Sequence, residues 1–191
     1  MVEQEPKYHK GDLTDPDHWD TVWSMLPRSD SVMAWIRHKW QWKLNRFLCR
    51  QLDALGKRDS IDVLELGCAP GTMLERIYRL RPQHRLHGID FSIDGIEMCR
   101  ARLKAKRIPA TVYHGDIRTI ELPPIYQMIV SFGLLEHFQD PIEVLHCHCR
   151  FLAPGGIVLV TVPNFAVPIV HTWIKLTVPE ILQTHNFAIM T

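Results

Sequence analysis

The sequence predicts an α/β fold in which a doubly wound, mostly parallel sheet follows a helical N-terminal extension. Short apolar runs that suit buried strands occur at 61–66, 86–89, 110–113, 128–132 and 157–162. Helical patterns separate these runs at 72–80, 92–107 and 141–152. Because strands that alternate with helices at this spacing need right-handed crossovers, helices are expected on both faces of the sheet.

A chain of 191 residues is long enough for one domain with a substantial core. The N-terminal extension contains a helix that begins at Asp15 and Pro16, and a second helix that begins near Ser31 and ends at Gly56. We divide the chain into a helical extension at 1–58, a ligand-binding core at 59–165, and a C-terminal helix and tail at 166–191.

Two helix starts in the core follow from local polar residues. Thr72 with Glu75 forms a capping box, in which each side chain accepts a hydrogen bond from the backbone N–H of the other. Asp140 before Pro141 gives the second start, because an acidic N-cap and a proline at the first helical position both favour a helix N-terminus.

Composition and charge limit the partners and the location of the protein. The net charge of +1 gives no overall field for a nucleic-acid backbone or an acidic membrane. Five cysteines show no disulfide spacing, which favours a reducing compartment. The apolar stretch at 156–178 is not a membrane anchor, because it is interrupted at Pro163, Asn164, Pro168, His171 and Lys175. We therefore expect a cytoplasmic protein without nucleic-acid or membrane partners.

The segment from Val63 to Leu74 reads VLELGCAPGTML and carries the main functional signal. Gly67 and Gly71 allow a tight turn and a close approach to a ligand, since neither has a Cβ. In a sheet of this kind, ligands bind beyond the carboxyl ends of the strands, beside the first strand. The helix after the turn presents free backbone N–H groups, which favour a carboxylate or a phosphate.

Three kinds of ligand site have a glycine turn after a strand. A phosphate-binding P-loop is excluded, because no lysine follows Gly71. A dinucleotide fingerprint is a poor match, because Ala69 and Thr72 stand where its second and third glycines belong. Glu65 would repel a pyrophosphate and favours a ligand with a positive charge, such as an ammonium or a sulfonium.

This turn resembles the first motif of class I S-adenosylmethionine-dependent methyltransferases, and the resemblance covers roughly residues 60 to 165. It implies that the cofactor is S-adenosyl-L-methionine and that the product is S-adenosyl-L-homocysteine. It also implies that Glu65 helps to hold the methionine end of the cofactor. The turn residues that the resemblance places against the cofactor are Gly67, Cys68, Ala69 and Gly71.

Later motifs follow in the order that the family shows. Asp90 ends the second apolar run, about 20 residues after the turn, where a carboxylate accepts hydrogen bonds from both ribose hydroxyls of S-adenosylmethionine or of NAD. The resemblance implies that Phe91 lies against the adenine ring. It implies that Asp116 bonds the adenine amino group, and that the backbone N–H of Ile117 faces the ring. At the end of the fourth strand it implies that the backbone near Ser131 and Phe132 meets the methionine part.

The acceptor side offers fewer candidates. His137 follows the fourth strand, and its ordinary pKa suits proton transfer at neutral pH. A structural role, in which His137 closes the loop or contacts the cofactor carboxylate, stays open beside the catalytic one. Trp19 and Trp23 either pack the N-terminal helix against the sheet or form a lid over the acceptor pocket. No metal site is expected, because the His-Cys-His-Cys run at 146–149 lies on a helix, where neighbouring side chains point about 100° apart.

We therefore expect transfer of a methyl group to a small-molecule nucleophile by in-line displacement. Two alternatives remain open: an NAD(P)-type oxidoreductase, against which Glu65 and Ala69 argue, and a non-catalytic subunit that binds the cofactor. The resemblance implies two further C-terminal strands, whereas this chain has a turn at 152–156, a fifth strand and a helix at 167–177. We expect either a truncated chain of impaired activity or a homo-oligomer that pairs through the exposed sheet edge.

Overall fold

The computed structural model describes residues 12–25, 34–55, 59–165, 167–177, 179 and 181–190. The N-terminal helices are α1, Pro16–Met25, and α2, Ala34–Ala54. Asp15 starts α1 as expected, because its side chain accepts the backbone N–H of His18 at 2.7 Å. The predicted start of the second helix near Ser31 and its predicted end at Gly56 lie outside the described residues.

The described part of the chain contains one sheet of five strands. They are β1, Asp62–Leu66; β2, Arg85–Asp90; β3, Ala110–His114; β4, Tyr126–Phe132; and β5, Leu152–Thr161. The strand order is β3-β2-β1-β4-β5, and every neighbouring pair is parallel. Since β1 lies between β2 and β4, the order reverses beside it. This topology confirms the predicted doubly wound sheet.

Helices cover both faces of the sheet. Residues of α2 pack in one core with α3, Thr72–Leu80, and α4, Ile93–Ala105, while α5, Pro141–Phe151, packs in the other. Side chains alternate between the two cores along β1, so that Val63 lies in the first core and Leu64 in the second.

The chain after β5 is helical wherever the structure describes it. It forms α6, Pro168–Thr177, then α7, Ile181–Thr184, and a short 3₁₀ turn, Phe187–Met190. The predicted helix at 167–177 is therefore confirmed. β5 is an edge strand of the sheet, and pairing of this edge with a second copy stays a prediction. No helix in the described ranges is long and apolar enough to cross a membrane.

The predicted helix starts fare differently. Asp140 caps α5 as expected, since its side chain accepts the backbone N–H groups of Ile142 and Glu143 at 2.9 and 3.2 Å. The capping box at Thr72 is wrong, because the N-cap is Gly71, which has a φ of 83° and no side chain to accept a bond. Glu75 instead forms ion pairs with two arginines, Arg79 and Arg102.

The boundary of the last strand also differs from the prediction. The expected turn at 152–156 belongs to β5, because Leu152 pairs with Tyr126. A register shift follows between Tyr126 and Met128, and Gly155 has a φ of 73°. The glycines therefore produce an irregularity inside the strand, and the apolar run marks only its regular part.

Candidate cofactor and acceptor site

A cavity lies beyond the carboxyl ends of β1, β2 and β4, where the strand order reverses. Four segments that follow strands line it, together with the N-terminal segment at Asp12, Thr14 and Trp19. The segments after strands contribute Gly67, Ala69, Asp90, Phe91, Gly115, Asp116, Ile117, Arg118, Phe132, Gly133, Leu134, His137 and Phe138. This is the position at which ligands bind in doubly wound sheets.

The glycine turn after β1 is fixed to the end of β2. The backbone N–H groups of Gly67 and Cys68 both donate to the carbonyl oxygen of Ile89, at 2.9 and 3.0 Å. Gly67 has a φ of 70°, and a Cβ at this position would lie 3.0 Å from Cδ1 of Leu134. A side chain at position 67 would therefore be strained and would crowd the cavity wall.

Asp90 lies at the cavity wall and is held by backbone donors. The N–H of Ala69 donates to its Oδ2 at 2.9 Å, and the N–H of Ser92 donates to its Oδ1 at 3.1 Å. Burial raises the pKa of this carboxyl group. The backbone N–H of Phe91 bonds this carboxylate as well. Since the two oxygens have about four lone pairs in total, acceptor capacity remains for a sugar hydroxyl.

Four predicted cofactor contacts have side chains or Cβ positions outside the cavity wall. Glu65 alternates with Leu64 and Leu66 along β1, so it lies on the opposite face of the strand, in a buried position. Its Oε2 has no hydrogen-bond partner among the described residues. Burial raises the pKa of Glu65 well above its ordinary value. The predicted contact of Glu65 with the methionine end of the cofactor stays a prediction.

The side chain of Cys68 also points into the core. Its Sγ lies 4.0 Å from Sγ of Cys99, and both thiols are buried. The missing Cβ of Gly88 makes room for Cys68, because a Cβ there would lie 2.6 Å from Sγ. Gly71 faces Cys99 in the same way, since its Cβ would lie 2.9 Å from that Sγ. Cys68 and Gly71 therefore support the turn from behind.

The side chain of Ser131 is the fourth that lies away from the cavity, and the predicted contact of the backbone near it stays a prediction. His148 donates from Nδ1 to the carbonyl oxygen of Val144 at 2.7 Å, so its Nε2 is the acceptor atom. The hydroxyl group of Ser131 therefore donates to Nε2 of His148, at 2.9 Å. Because side chains alternate along β4, Ser131 points to His148 while the next residue, Phe132, lines the cavity.

At the exit of β3, the predicted Asp116 and Ile117 both line the cavity. The carboxylate of Asp116 accepts the backbone N–H of Arg118 at 2.8 Å. The Arg118 guanidinium forms a buried ion pair with Asp12 and packs over the ring of Phe138, 4.9 Å from its centroid. The sequence analysis missed Arg118 and Asp12, because nothing local relates two residues that lie 106 positions apart.

His137 lines the cavity at the end of a 3₁₀ turn, Leu135–His137. Its Nδ1 donates to the carbonyl oxygen of Thr184 at 2.8 Å, and its ring makes edge contacts with Trp19 and His185. Burial lowers the pKa of His137 to about 4. The imidazole is therefore neutral at neutral pH, with an unprotonated Nε2. The structural and the acceptor-facing roles of His137 are compatible, because each uses a different ring nitrogen.

The N-terminal segment forms part of the same wall. The indole N–H of Trp19 donates to the hydroxyl oxygen of Thr14 at 3.0 Å, and the N–H of Leu13 donates to the carbonyl oxygen of His137 at 2.9 Å. Asp20 accepts the hydroxyl of Ser92, which joins α1 to the start of α4. Trp19 thus lies at the cavity as predicted, whereas the side chain of Trp23 is outside the described part.

A family profile described as "Methyltransferase domain" matches residues 37–187, which is more than half of the chain. The chain belongs to the class I S-adenosylmethionine-dependent methyltransferase family. A protein of transposon Tn4556 from Streptomyces fradiae is 35% identical over 117 residues, and 60% of this chain and 33% of that protein are covered. A probable S-adenosylmethionine-dependent methyltransferase of Mycolicibacterium smegmatis is 31% identical over 104 residues, with 54% and 38% covered.

The chain therefore spans a third to two fifths of the length of these two relatives. Among solved structures, the plantazolicin methyltransferase BpumL superposes with a TM-score of 0.61 at 22% identity, covering 74% of this chain and 55% of that one. A putative methyltransferase from Methanococcus maripaludis gives a TM-score of 0.59 at 13% identity, covering 94% and 78%. At these identities, the two structures show a common fold.

The cofactor of this methyltransferase family is S-adenosylmethionine, and the cavity fits it. The turn at Gly67 brings bare backbone to the wall, Asp90 keeps lone pairs for a ribose, and Phe91 and Ile117 offer flat apolar surface. Nothing comparable favours NAD, since Ala69 replaces the second glycine of the dinucleotide fingerprint. The individual contacts of these residues with the cofactor stay predictions.

Proposed function

We propose that this methyltransferase transfers a methyl group to an oxygen atom of a small molecule by in-line displacement. The observation that carries the proposal is the composition of one part of the cavity wall. Trp19, Leu134 and Phe138 surround a single neutral imidazole, His137. Apolar walls with few polar groups are typical of small-molecule sites, whereas this wall offers no row of cations among its described residues for a nucleic-acid backbone.

The names of curated relatives support oxygen as the acceptor atom. A ubiquinone biosynthesis O-methyltransferase of Saccharomyces cerevisiae is 28% identical over 112 residues. A malonyl-[acyl-carrier protein] O-methyltransferase of Bacillus anthracis is 30% identical over 100 residues. These two substrates differ in chemistry, so the names favour an oxygen nucleophile and leave its carrier open.

The cofactor supplies an activated methyl group, and the residues of the chain supply position and a dry environment. Nε2 of His137 is free to accept a hydrogen bond from an acceptor hydroxyl. Because its pKa is about 4, His137 is a weak base, so we expect it to orient the hydroxyl rather than to remove its proton. Trp19 and Phe138 then exclude water from the reacting atoms.

The test combines binding with turnover. Calorimetric titration should show binding of S-adenosylhomocysteine and none of NAD. Incubation with S-adenosylmethionine and a panel of phenols, carboxylic acids and amines should then yield methylated oxygen. Binding of NAD in preference would overturn the assignment to a methyltransferase site. Binding of S-adenosylhomocysteine with methylation of amines only, or with no turnover on the panel, would overturn the oxygen acceptor and favour an N-methyltransferase or a non-catalytic subunit.

Replacement of His137 separates orientation from base catalysis. In His137→Gln assayed with a chelator present, an amide retains an acceptor for the hydroxyl, so we expect at least about a tenth of the wild-type kcat/KM in the same buffer. In both proteins, the pH profile of kcat/KM should show no ionisation near neutral pH. A loss of activity beyond about 10³-fold in the folded glutamine variant would instead assign proton transfer to His137.

A further inference from the structure

Three side chains that the sequence analysis did not connect meet beside the cavity. Glu136, His137 and His185 each offer one ligand atom, and these atoms all lie within 4.8 Å of one another. Glu136 and His137 follow β4, whereas His185 comes from the segment after α7. His137 itself lines the cavity, so the three groups lie at its edge.

In both histidines, a neighbouring carbonyl group determines which ring nitrogen carries the proton. His137 bonds the carbonyl oxygen of Thr184 through Nδ1 at 2.8 Å, and His185 bonds that of Ile181 through Nδ1 at 3.0 Å. A carbonyl oxygen only accepts, so each Nδ1 carries the proton and each Nε2 has a free lone pair. This is the arrangement in which histidines bind metal ions, with the other ring nitrogen bonded to a backbone carbonyl.

Glu136 supplies an acid with an unsatisfied oxygen. Its side chain is 2% exposed, and its Oε2 has no hydrogen-bond partner among the described residues. Its Oε1 lies 4.0 Å from Nε2 of His137, which is too long for a hydrogen bond. A buried carboxyl group without a partner costs free energy, and a cation between Glu136 and the two histidines would satisfy it.

The backbone holds the third side chain in place. The N–H of Asn186 donates to the carbonyl oxygen of Glu136 at 2.6 Å, and its side chain donates to that of Phe138 at 3.1 Å. Together with the bond from His137 to Thr184, these contacts fix the residues on both sides of His185 against the turn after β4. The position of His185 is therefore set without any bond from its own Nε2.

We propose that Glu136, His137 and His185 bind a divalent transition-metal ion, with Zn²⁺ as the best match. Two imidazoles and one carboxylate are a ligand set of catalytic zinc, and they leave a fourth position open. In a tetrahedral site, ligand atoms at about 2.1 Å from one ion lie about 3.4 Å apart, so the largest of the present separations, within 4.8 Å, closes by up to about 1.4 Å on binding. Mg²⁺ fits less well, because it prefers oxygen ligands only.

The open position gives the ion a role that rests on the proposed function. An acceptor hydroxyl bound to the ion would lose its proton more readily, because a divalent cation stabilises the oxyanion. The proton passes to water, the oxygen lone pair forms the bond to the methyl carbon, and the bond from that carbon to the departing sulfur breaks. With the ion bound, Nε2 of His137 is one of its ligands, and the ion takes the place of the imidazole in orienting the acceptor oxygen.

The test measures metal binding directly, without cofactor or acceptor. The full chain is freed of metal with a chelator and titrated with ZnCl₂ by calorimetry, and then with CoCl₂ while the visible absorption is recorded. We expect one Zn²⁺ per chain and a cobalt spectrum of low coordination number without a thiolate charge-transfer band. The affinity should fall at least about 100-fold in Glu136→Gln and in His185→Gln, because each removes a ligand.

His146→Gln is the matched control, because His146 is exposed on α5 and lies beside the cysteines that offer the competing site. It should bind Zn²⁺ like the wild type. Circular dichroism and the melting temperature verify that each variant is folded, and Zn²⁺ should raise the melting temperature only where the ligands are intact. No binding by the wild type, or equal binding by Glu136→Gln and His185→Gln, would overturn the proposal. Failure of methyl transfer with zinc bound would instead contradict the proposed function alone.

Discussion

The two sides of the cavity are built in different ways. On the turn side, backbone groups join neighbouring strands, as in the bonds from Gly67 and Cys68 to Ile89 and from Ala69 to Asp90. On the closing side, side chains join segments that are distant in sequence, as in the pairs Arg118–Asp12 and His137–Trp19. The turn side therefore follows from the sheet itself, and the closing side depends on each contact that assembles it.

The largest expected effect lies on the turn side. Replacement of Asp90 by alanine should remove the predicted charge-assisted bonding to the ribose, and it leaves the N–H of Ala69 without its acceptor. At about 1.5–3 kcal/mol for each charged hydrogen bond, the affinity for S-adenosylhomocysteine should fall about 100-fold or more. Calorimetry measures this affinity. The control is Asp94→Ala, at an exposed position in α4, which should bind S-adenosylhomocysteine like the wild type. Equal losses of affinity in both variants would contradict the role of Asp90.

A second prediction concerns how rigid the turn side is. Gly88→Ala places a Cβ 2.6 Å from Sγ of Cys68 and 3.1 Å from Cδ1 of Leu74, so it should reduce the free energy of unfolding by about 2 kcal/mol. Denaturation by urea measures the loss. Gly115→Ala meets only the tip of Ile120, at 3.2 Å, and should cost clearly less. If both variants lose the same free energy of unfolding, the core behind the turn accommodates an added methyl group more easily than its packing indicates.

The closing side should respond more weakly to a single change. Asp12→Asn removes one charge from the Arg118 pair, while Asp116 and Glu143 remain 3.7 and 3.6 Å from that guanidinium. We expect a loss of about 1 kcal/mol in local stability and faster amide exchange at residues 12–25, with global unfolding nearly unchanged. Asp17→Asn, at an exposed position of α1, is the control. Slower exchange in Asp12→Asn would contradict the contribution of this pair.

The smallest expected effect tests whether the end of β4 is as rigid as the turn side of the cavity. Burial lowers the pKa of His148 below its ordinary value of 6.5. Its stabilising contribution is therefore complete above pH 6.5 and is lost as the pH falls below it. Stability between about pH 6.5 and 5 should fall less steeply in His148→Gln, by up to about 1.4 kcal/mol per pH unit. Urea unfolding at several pH values measures this dependence. If stability changes with pH equally in both proteins, the imidazole of His148 accepts a proton in the folded state.

Sequence patterns predicted the turn side well, because its parts are local. The apolar runs place the strands, and parallel strands bring Gly67, Asp90 and Asp116 to one edge of the sheet. The face that the side chain of Glu65 takes follows from the alternation along β1, which the motif alone does not state.

The closing side was predictable only in part. Trp19 and His137 stood out as isolated residues, yet nothing in the sequence relates Arg118 to Asp12 or Glu136 to His185. These pairs depend on contacts between distant segments, whose packing no local pattern specifies. The expected absence of a metal site rested on the run at 146–149, whereas the group that converges draws on two separate segments.

The two thiols beneath the glycine turn also provide an intrinsic reporter. Cys149 is exposed and should react at once with a maleimide, while Cys68 and Cys99 are sealed in the core. The rate at which the maleimide alkylates them would therefore measure transient opening of the turn, and mass spectrometry can read it without an engineered residue. Ligands that bind against Gly67 should slow this alkylation. The wild-type protein can therefore be used to screen for ligands of its own cavity.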